Sequence, residues 1–170
     1  ACTPGSSSAP EDKKSDKSKP EIGMSFDSFV IERWIRDRDV FVATAKELGA
    51  DVNVQTANGE VAEQIDQIEY FIDKGVDAIV IVAIDSESLT EVVAKAKKAG
   101  IPVICYDRVL RYSNADLYIS FDNEKVGELM ATSLFKKIGR NKKIVKILGP
   151  DTDYNVEMVN RGFDRIADNY

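Results

Sequence analysis

The chain has 170 residues, 44% of them hydrophobic and 31% charged, so it can bury a core of ordinary domain size and keep a polar surface. Its 23 Lys and Arg against 29 Asp and Glu leave a net charge of −6, which argues against nucleic acid as a partner, because phosphate recognition needs a basic surface. Histidine is absent, which removes Ser-His-Asp and Cys-His catalysis and every histidine-containing metal site from these residues, and no apolar run is long enough for a transmembrane helix.

Residues 1–20 differ from the rest. Thr3 to Ala9 is small and polar, and Glu11 to Lys19 is charged with mixed sign. Such a composition cannot bury enough apolar surface to offset chain entropy, so it predicts a disordered tether. Cys2 stands at its head, far from the second cysteine, Cys105, and a bridge between the two is not expected. There is no basic region followed by an apolar one, so no intact signal peptide is present in these residues.

Pro20 introduces a first strand, Ile22 to Phe26. A helix follows from about Ile31 to Leu48, with Ile31, Ile35, Phe41, Val42, Ala45 and Leu48 near helical spacing and Gly49 at its end. Asp51 to Thr56 is a second strand, and Asn58-Gly59 turns the chain. The next helix, Val61 to Lys74, carries Ile65, Ile68 and Ile72 as its stripe and stops at Gly75. Ala78 to Ile84 is almost continuous Ile and Val, the pattern of a central strand covered on both faces. Ser88-Leu-Thr-Glu91 has the spacing of a capping box for a helix with Leu89, Val92, Val93, Ala96 and Ala99, closed by Gly100. Pro102 opens a fourth strand, which ends in Tyr106-Asp107-Arg108.

A strand followed by a glycine-terminated helix thus occurs three times before the fourth strand. That rhythm predicts an α/β fold: βαβ units with right-handed crossovers and a parallel, Rossmann-like sheet with helices on both faces. After Arg108 the rhythm changes. Leu117 to Phe121 reads as a short strand, and Asp122 or Asn123 caps a helix to about Ile138 with Val126, Leu129, Met130 and Leu134 inside. Lys143 to Leu148 reads as another strand, and a last helix begins near Val156 with Val159, Phe163 and Ile166. One or two strands do not make a stable second sheet, so residues after about 120 read as the start of a second α/β unit, completed by residues beyond these or by a partner.

No G-x-G-x-x-G and no G-x-x-x-x-G-K-[ST] follows a strand, so a phosphate-bearing cofactor is not expected, nor any other cofactor. The loops at the strand ends carry other chemistry. Asp107 and Arg108 sit at the C-terminal end of the fourth strand, where open α/β sheets place ligands. They read equally as a grip on a small polar molecule or as a structural ion pair. After strand one come Asp27, Arg33 and Trp34; the indole is either core or a flat platform for the C–H face of a sugar ring. Carboxylates and guanidinium groups form charge-assisted hydrogen bonds to hydroxyls. Asp153 and Asn155 read as ligand contacts or as helix caps. Glycoside hydrolysis needs two carboxyl groups flanking the scissile bond, and no pair here is marked by spacing. Arginines beside the acids favour ionised carboxylates, which suits binding better than acid catalysis. An enzyme is therefore not expected.

The segments Ile22-Gly-Met24, Glu32-Arg-Trp34, Asp37-Arg-Asp39, Gln55-Thr-Ala-Asn-Gly59, Tyr106-Asp-Arg108 and Tyr118-Ile-Ser-Phe-Asp-Asn-Glu-Lys-Val-Gly-Glu128 resemble the ribose/galactose-type periplasmic sugar-binding proteins, and among them the D-xylose-binding group. The resemblance spans about residues 21–166. It implies two α/β lobes joined by crossing strands, with sugar held between lobes that close over it. Residues 21–119 would form the first lobe, up to a hinge crossing near Ser113 to Ser120, and 120–170 the start of the second. Arg33, Trp34, Asp107 and Arg108 would line the first lobe's half of the cleft, with Trp34 stacked on the pyranose. Asp153 and Asn155 match second-lobe contacts, and Tyr154 stands where relatives carry Asn. The implied ligand is D-xylose or a similar aldopentose. The implied partner is the membrane component of an ABC importer or the extracellular part of a sensor histidine kinase. Family members run to about twice this length, so these residues alone are expected to bind sugar weakly or not at all. Cys2 followed by a Ser-rich tether resembles the start of a mature bacterial lipoprotein, which implies an extracytoplasmic protein held at the membrane by lipid on Cys2. A sugar-responsive repressor of the related fold would need an N-terminal helix-turn-helix, which residues 1–20 cannot form.

Overall fold

The computed structural model describes residues 19–169. The expected tether, with Cys2, lies outside the described residues apart from positions 19 and 20. Five parallel strands form one sheet: β1 Glu21–Phe26, β2 Asp51–Thr56, β3 Ala78–Val82, β4 Val103–Tyr106 and β5 Leu117–Ile119, in the order β2-β1-β3-β4-β5. The chain moves outward one way from β1 to β2 and the other way through β3 to β5. Open α/β sheets place their crevice at such a reversal, beyond the C-terminal strand ends.

β3 shows why the sheet is covered on both sides. Ile79 and Ile81 pack with Ile68 and Phe71 of helix α2 (Val61–Lys74) and with Val92, Val93 and Ala96 of α3 (Thr90–Lys98). Val80 and Val82 join the opposite core, with Met24, Phe26 and, from α1 (Glu32–Glu47), Trp34 and Phe41. The four β3 residues are buried on both faces, as a near-continuous apolar strand requires. Two expected inward residues of α1, Ile31 and Leu48, are exposed instead; Trp34 and Ala45 are the buried ones.

Gln64 and Gln67 of α2 are also buried, and both find partners. Gln64 Nε2 donates to the Val82 carbonyl at 3.0 Å and its Oε1 accepts from the Ile84 N–H at 3.0 Å. Gln67 donates to the Thr56 carbonyl at 2.9 Å and accepts from the Ser25 hydroxyl at 2.9 Å. These amides tie the C-terminal ends of β1, β2 and β3 together below the crevice.

The expected capping box at Ser88 is not formed. α3 starts at Thr90, and its first residues make no side-chain cap. The turn is held by Asp85, whose carboxylate accepts from the Ser88 hydroxyl (2.7 Å) and from the N–H groups of Ser88 (2.7 Å) and Glu87 (2.9 Å). The Ser88 hydroxyl bond, joined by the two backbone donors, holds the Asp85 carboxyl below the usual carboxylate range. A depressed acid stabilises the fold above its unfolded-state pKa and loses that contribution as pH falls through the folded one. Asp85→Ala is therefore expected to cost about 1 kcal/mol at neutral pH, as lost caps do, and nothing in strong acid. Urea unfolding of both proteins across that pH range checks it.

Beyond β5 the chain forms α4 (Asn123–Ile138) and α5 (Tyr154–Ala167), packed on each other. Asp122 caps α4 by accepting from the Lys125 N–H at 2.9 Å, and Asp153 caps α5 by accepting from the Asn155 N–H at 3.0 Å. Their shared core is small: Ala131, Phe135 and Phe163. Gly127 and Gly162 lie at the crossing, where the backbones nearly touch. Glu124 and Glu128 of α4 pair with Arg161 and Arg165 of α5 alongside.

Two expectations for this region are corrected. Val126, Leu129 and Met130 do not face inward; α4 turns its Gly127-Ala131-Phe135 face to α5 because only small residues allow so close a crossing. Residues 143–148 form no strand, for a ladder needs a neighbour and none of the described strands runs beside them; Val145 is 91% and Ile147 96% exposed. With α4 and α5 these residues frame an apolar groove of about 390 Å³ lined by Met130, Leu134, Ile144, Val156, Val159 and Phe163.

Candidate functional site

The strand ends bring the expected residues together. Asp107 follows β4 directly and takes φ +64°, a region that non-glycine residues rarely occupy and that Asp tolerates better than most. Its N–H donates to the Ile119 carbonyl at 2.8 Å, so the turn is pinned to β5. The buried carboxylate is thereby aimed at the first turn of α1, where Arg33 Nη2 forms an ion pair with it.

Arg33 is held from a second side by Asp37, one helical turn on, at 3.2 Å from Nε. Burial opposes the Arg33 cation, but the hydrogen bond and charge of Asp107, with Asp37, outweigh it and hold the group above its usual range. Asp37 also accepts from the Tyr106 hydroxyl at 2.9 Å. Burial first, and Asp37 second, push that phenol up, so it stays a donor.

Arg108 sits deeper. Its Nη1 donates to Asp27 Oδ2 at 2.7 Å and to the Ala83 carbonyl at 3.0 Å, and its Nε lies 3.3 Å from Asp153 Oδ2. It therefore joins the ends of β1 and β3 to the N-terminus of α5. Asn155 makes a matching connection: its Nδ2 donates to the Asp107 carbonyl at 3.0 Å and lies 3.4 Å from Asp107 Oδ1. Asp153 is thus cap and site residue at once.

All six expected residues, Arg33, Trp34, Asp107, Arg108, Asp153 and Asn155, fall within one connected cluster. Trp34 does not present an open face. It is 3% exposed, packed against Phe26 with ring centroids 6.4 Å apart, and the Arg33 guanidinium carbon lies 4.5 Å from the ring centroid. Two members of the cluster, Asp37 and Tyr118, stand in segments that carry the resemblance, yet the sequence reading assigns neither a place in the site. Asp37 looks like any exposed helical acid, although its i,i+4 spacing from Arg33 could have suggested a pair. Tyr118 looks like one residue of a short strand, but its hydroxyl lies 3.2 Å from the Asp107 carbonyl and 3.3 Å from Asn155 Oδ1. Burial pushes the Tyr118 phenol up and keeps its proton in place. Tyr154 turns elsewhere: the Arg111 guanidinium lies 4.5 Å from its ring centroid.

The cluster presents donors and acceptors whose directions are fixed by mutual ion pairs. That suits a neutral ligand with many hydroxyls, each able to donate and accept.

Residues 22–170 match a family model described as the periplasmic binding protein domain. The chain is 42% identical over 148 residues to a D-xylose-binding periplasmic protein of Haemophilus influenzae, a match covering 87% of this chain and 44% of that protein. It is also 42% identical over 150 residues to a D-xylose-binding periplasmic protein of Escherichia coli, covering 88% and 45% respectively. A solved structure of an ABC transporter solute-binding protein from Clostridium phytofermentans, with bound β-D-glucose, superposes with a TM-score of 0.82 at 29% identity, over 88% of this chain and 48% of that one. The chain spans less than half the length of these relatives.

Proposed function

The chain belongs to the periplasmic binding protein domain family, and from that premise we propose that it supplies the first part of an extracytoplasmic sugar-binding protein whose ligand is D-xylose or a similar aldopentose. The observation that carries the reading is the cluster at the sheet mouth. Arg33, Asp107 and Arg108 from one side, and Asp153 and Asn155 from α5, converge where a parallel sheet places its ligand. The names of the two relatives at 42% identity support xylose as the sugar.

In this reading residues 21–119 are the first lobe and 120–170 begin the second. Sugar hydroxyls bond groups from both sides and stabilise the closed arrangement. A membrane partner that binds the closed state better then reads the ligand's presence. That partner is an ABC importer or a sensor histidine kinase, and lipid on Cys2 holds the protein beside it. The ligand is bound and released unchanged.

Calorimetric titration tests this on the protein at the length its gene encodes. Saturable heat with D-xylose, and less with D-glucose, is expected. No heat with any aldopentose overturns the sugar reading, and conversion of xylose seen by NMR overturns the binder reading. Metabolic labelling with palmitate, lost in Cys2→Ser, tests the anchor. Tyr154 stacks on Arg111 and not on the cluster, so Tyr154→Asn is expected to leave xylose affinity within about twofold, as for other peripheral changes.

A further inference from the structure

We propose that the basic end of α4 is a membrane-facing surface, which lies on anionic phospholipid headgroups and sets how the protein stands on the bilayer. The choice of a bilayer as occupant rests on the reading of Cys2 as a lipid anchor.

Residues 129–150 hold six cations, Lys136, Lys137, Arg140, Lys142, Lys143 and Lys146, and no acid. They carry +6 in a chain of net −6, so the remaining residues carry −12. Lys136 and Lys137 stand in the last turn of α4. Gly139 at φ +74° and Asn141 at φ +56° then turn the chain, and Lys142 and Lys143 follow. The Cα atoms of Lys136 and Lys143 can be no more than about 25 Å apart along that path. All of these cations are exposed. Other lysines of the fold meet acids: Lys74 pairs with Glu21, Lys95 with Glu69 and Lys97 with Asp116. Lys136, Lys137, Lys142 and Lys143 form no ion pair with any described residue. Lys146 turns to Asp164 of α5.

The helix macrodipole favours Lys136 and Lys137 at a C-terminus, but its effect ends with the last turn and does not account for Arg140, Lys142 and Lys143. Like charges gathered so closely repel one another, and an anionic surface relieves that repulsion. Near such a leaflet each lysine strengthens binding about fivefold. The anchor favours a bilayer over other polyanions. The stretch between Cys2 and β1 spans at most about 65 Å, so lipid on Cys2 keeps the body within reach of headgroups but leaves its orientation free. A one-signed face supplies the orientation. It also keeps the sheet mouth open. α4 starts just after β5, whose Ile119 carbonyl accepts from the Asp107 N–H, and its 16 residues carry the chain about 24 Å to the basic end.

Cosedimentation with vesicles tests this on the full-length protein carrying Cys2→Ser, which has no lipid of its own. Binding is expected to vesicles of equal parts phosphatidylglycerol and phosphatidylcholine at about 0.1 M salt, and not to phosphatidylcholine alone. It should vanish at about 1 M salt, where screening shortens to about 3 Å. Lys142→Gln with Lys143→Gln should weaken binding about thirtyfold. Lys46→Gln with Lys98→Gln removes the same charge from other exposed positions and should weaken it less than threefold. No binding to the anionic vesicles overturns the proposal. So does equal loss in the two double variants, which makes net charge the cause, or binding that survives high salt. Equally tight binding to a DNA duplex at the lower salt makes the face an unselective polycation and overturns it too. Anionic-vesicle binding with no palmitate on Cys2 removes the anchor and leaves the membrane-facing surface standing. No step uses sugar, so the ligand reading stands or falls separately.

Discussion

Alanine in place of Gly162 is expected to lower the stability of the protein by about 3 kcal/mol, at the upper end of what overpacking usually costs. A Cβ built there would lie 1.9 Å from the Glu124 carbonyl oxygen, and one built on Gly127 would lie 1.9 Å from the Val159 carbonyl oxygen. Both obstacles are backbone, so no rotamer change relieves the clash; the helices must separate. Separation strips Phe163 from Phe135 and Ala131, the buried centre of the small core there, and pulls Arg161 and Arg165 from Glu124 and Glu128. The ion pairs are exposed and contribute little, so the loss comes from packing. Helix propensity works the other way, since alanine is better than glycine by up to about 1 kcal/mol in a helix interior. A net loss therefore isolates the close approach. Gly127→Ala should behave alike, and the double variant should cost less than the sum, because one separation relieves both clashes. Urea unfolding followed by circular dichroism measures each. A stability within 0.5 kcal/mol of the unmutated protein would mean that α4 and α5 stand further apart than described.

That crossing could not be read from the sequence. A single glycine inside a helical pattern signals only a weak helix former, and the apolar residues beside Gly127 drew the inward face toward Val126, Leu129 and Met130. Which face of α4 packs was decided by how near a second backbone could come, a tertiary fact. The sheet was readable for the opposite reason. β2 and α2 carry patterns set by local burial and end at Thr56 and Lys74 as expected, because the turn at Asn58-Gly59 and the stop at Gly75 are chemically marked. Ile144, Val145, Ile147 and Leu148 have strand composition too, yet a strand exists only with a partner for its hydrogen bonds, and composition carries no information about that. At the site, residue identities after β1 and β4 are enough to gather Asp27, Arg33, Trp34, Asp107 and Arg108, since the parallel topology brings those ends together, whereas Asp153 and Asn155 come in at the N-terminus of α5, after a segment that forms no strand. The partners of each group are not readable from those identities. The site roles of Asp37 and Tyr118 come from geometry alone, and Trp34 is buried where the resemblance implies a face stacked on sugar.

Among single changes in the cluster, Asp107→Asn is expected to have the largest effect on ligand binding and a small effect on the fold. Asparagine has the same shape and also tolerates the left-handed conformation, so the turn at φ +64° survives. The backbone carbonyl that accepts from Asn155 and lies near the Tyr118 hydroxyl is untouched. What disappears is the negative charge that fixes Arg33 and that would accept hydrogen bonds from sugar hydroxyls. Arg33 is nearly half exposed, so water compensates it and stability should fall by less than about 1 kcal/mol. Binding differs in the proposed closed state, which would exclude that water. A charged hydrogen-bond partner is worth roughly 1.5–3 kcal/mol there, and the loss should weaken D-xylose binding about a hundredfold. Asp37→Asn makes the comparison specific: it removes a charge from the same arginine but from the exposed side, and should cost far less. Calorimetry of the two variants at one ionic strength separates the roles. If Asp107→Asn and Asp37→Asn weaken xylose equally, Asp107 acts only by orienting Arg33, and the carboxylate leaves the set of groups that touch the sugar.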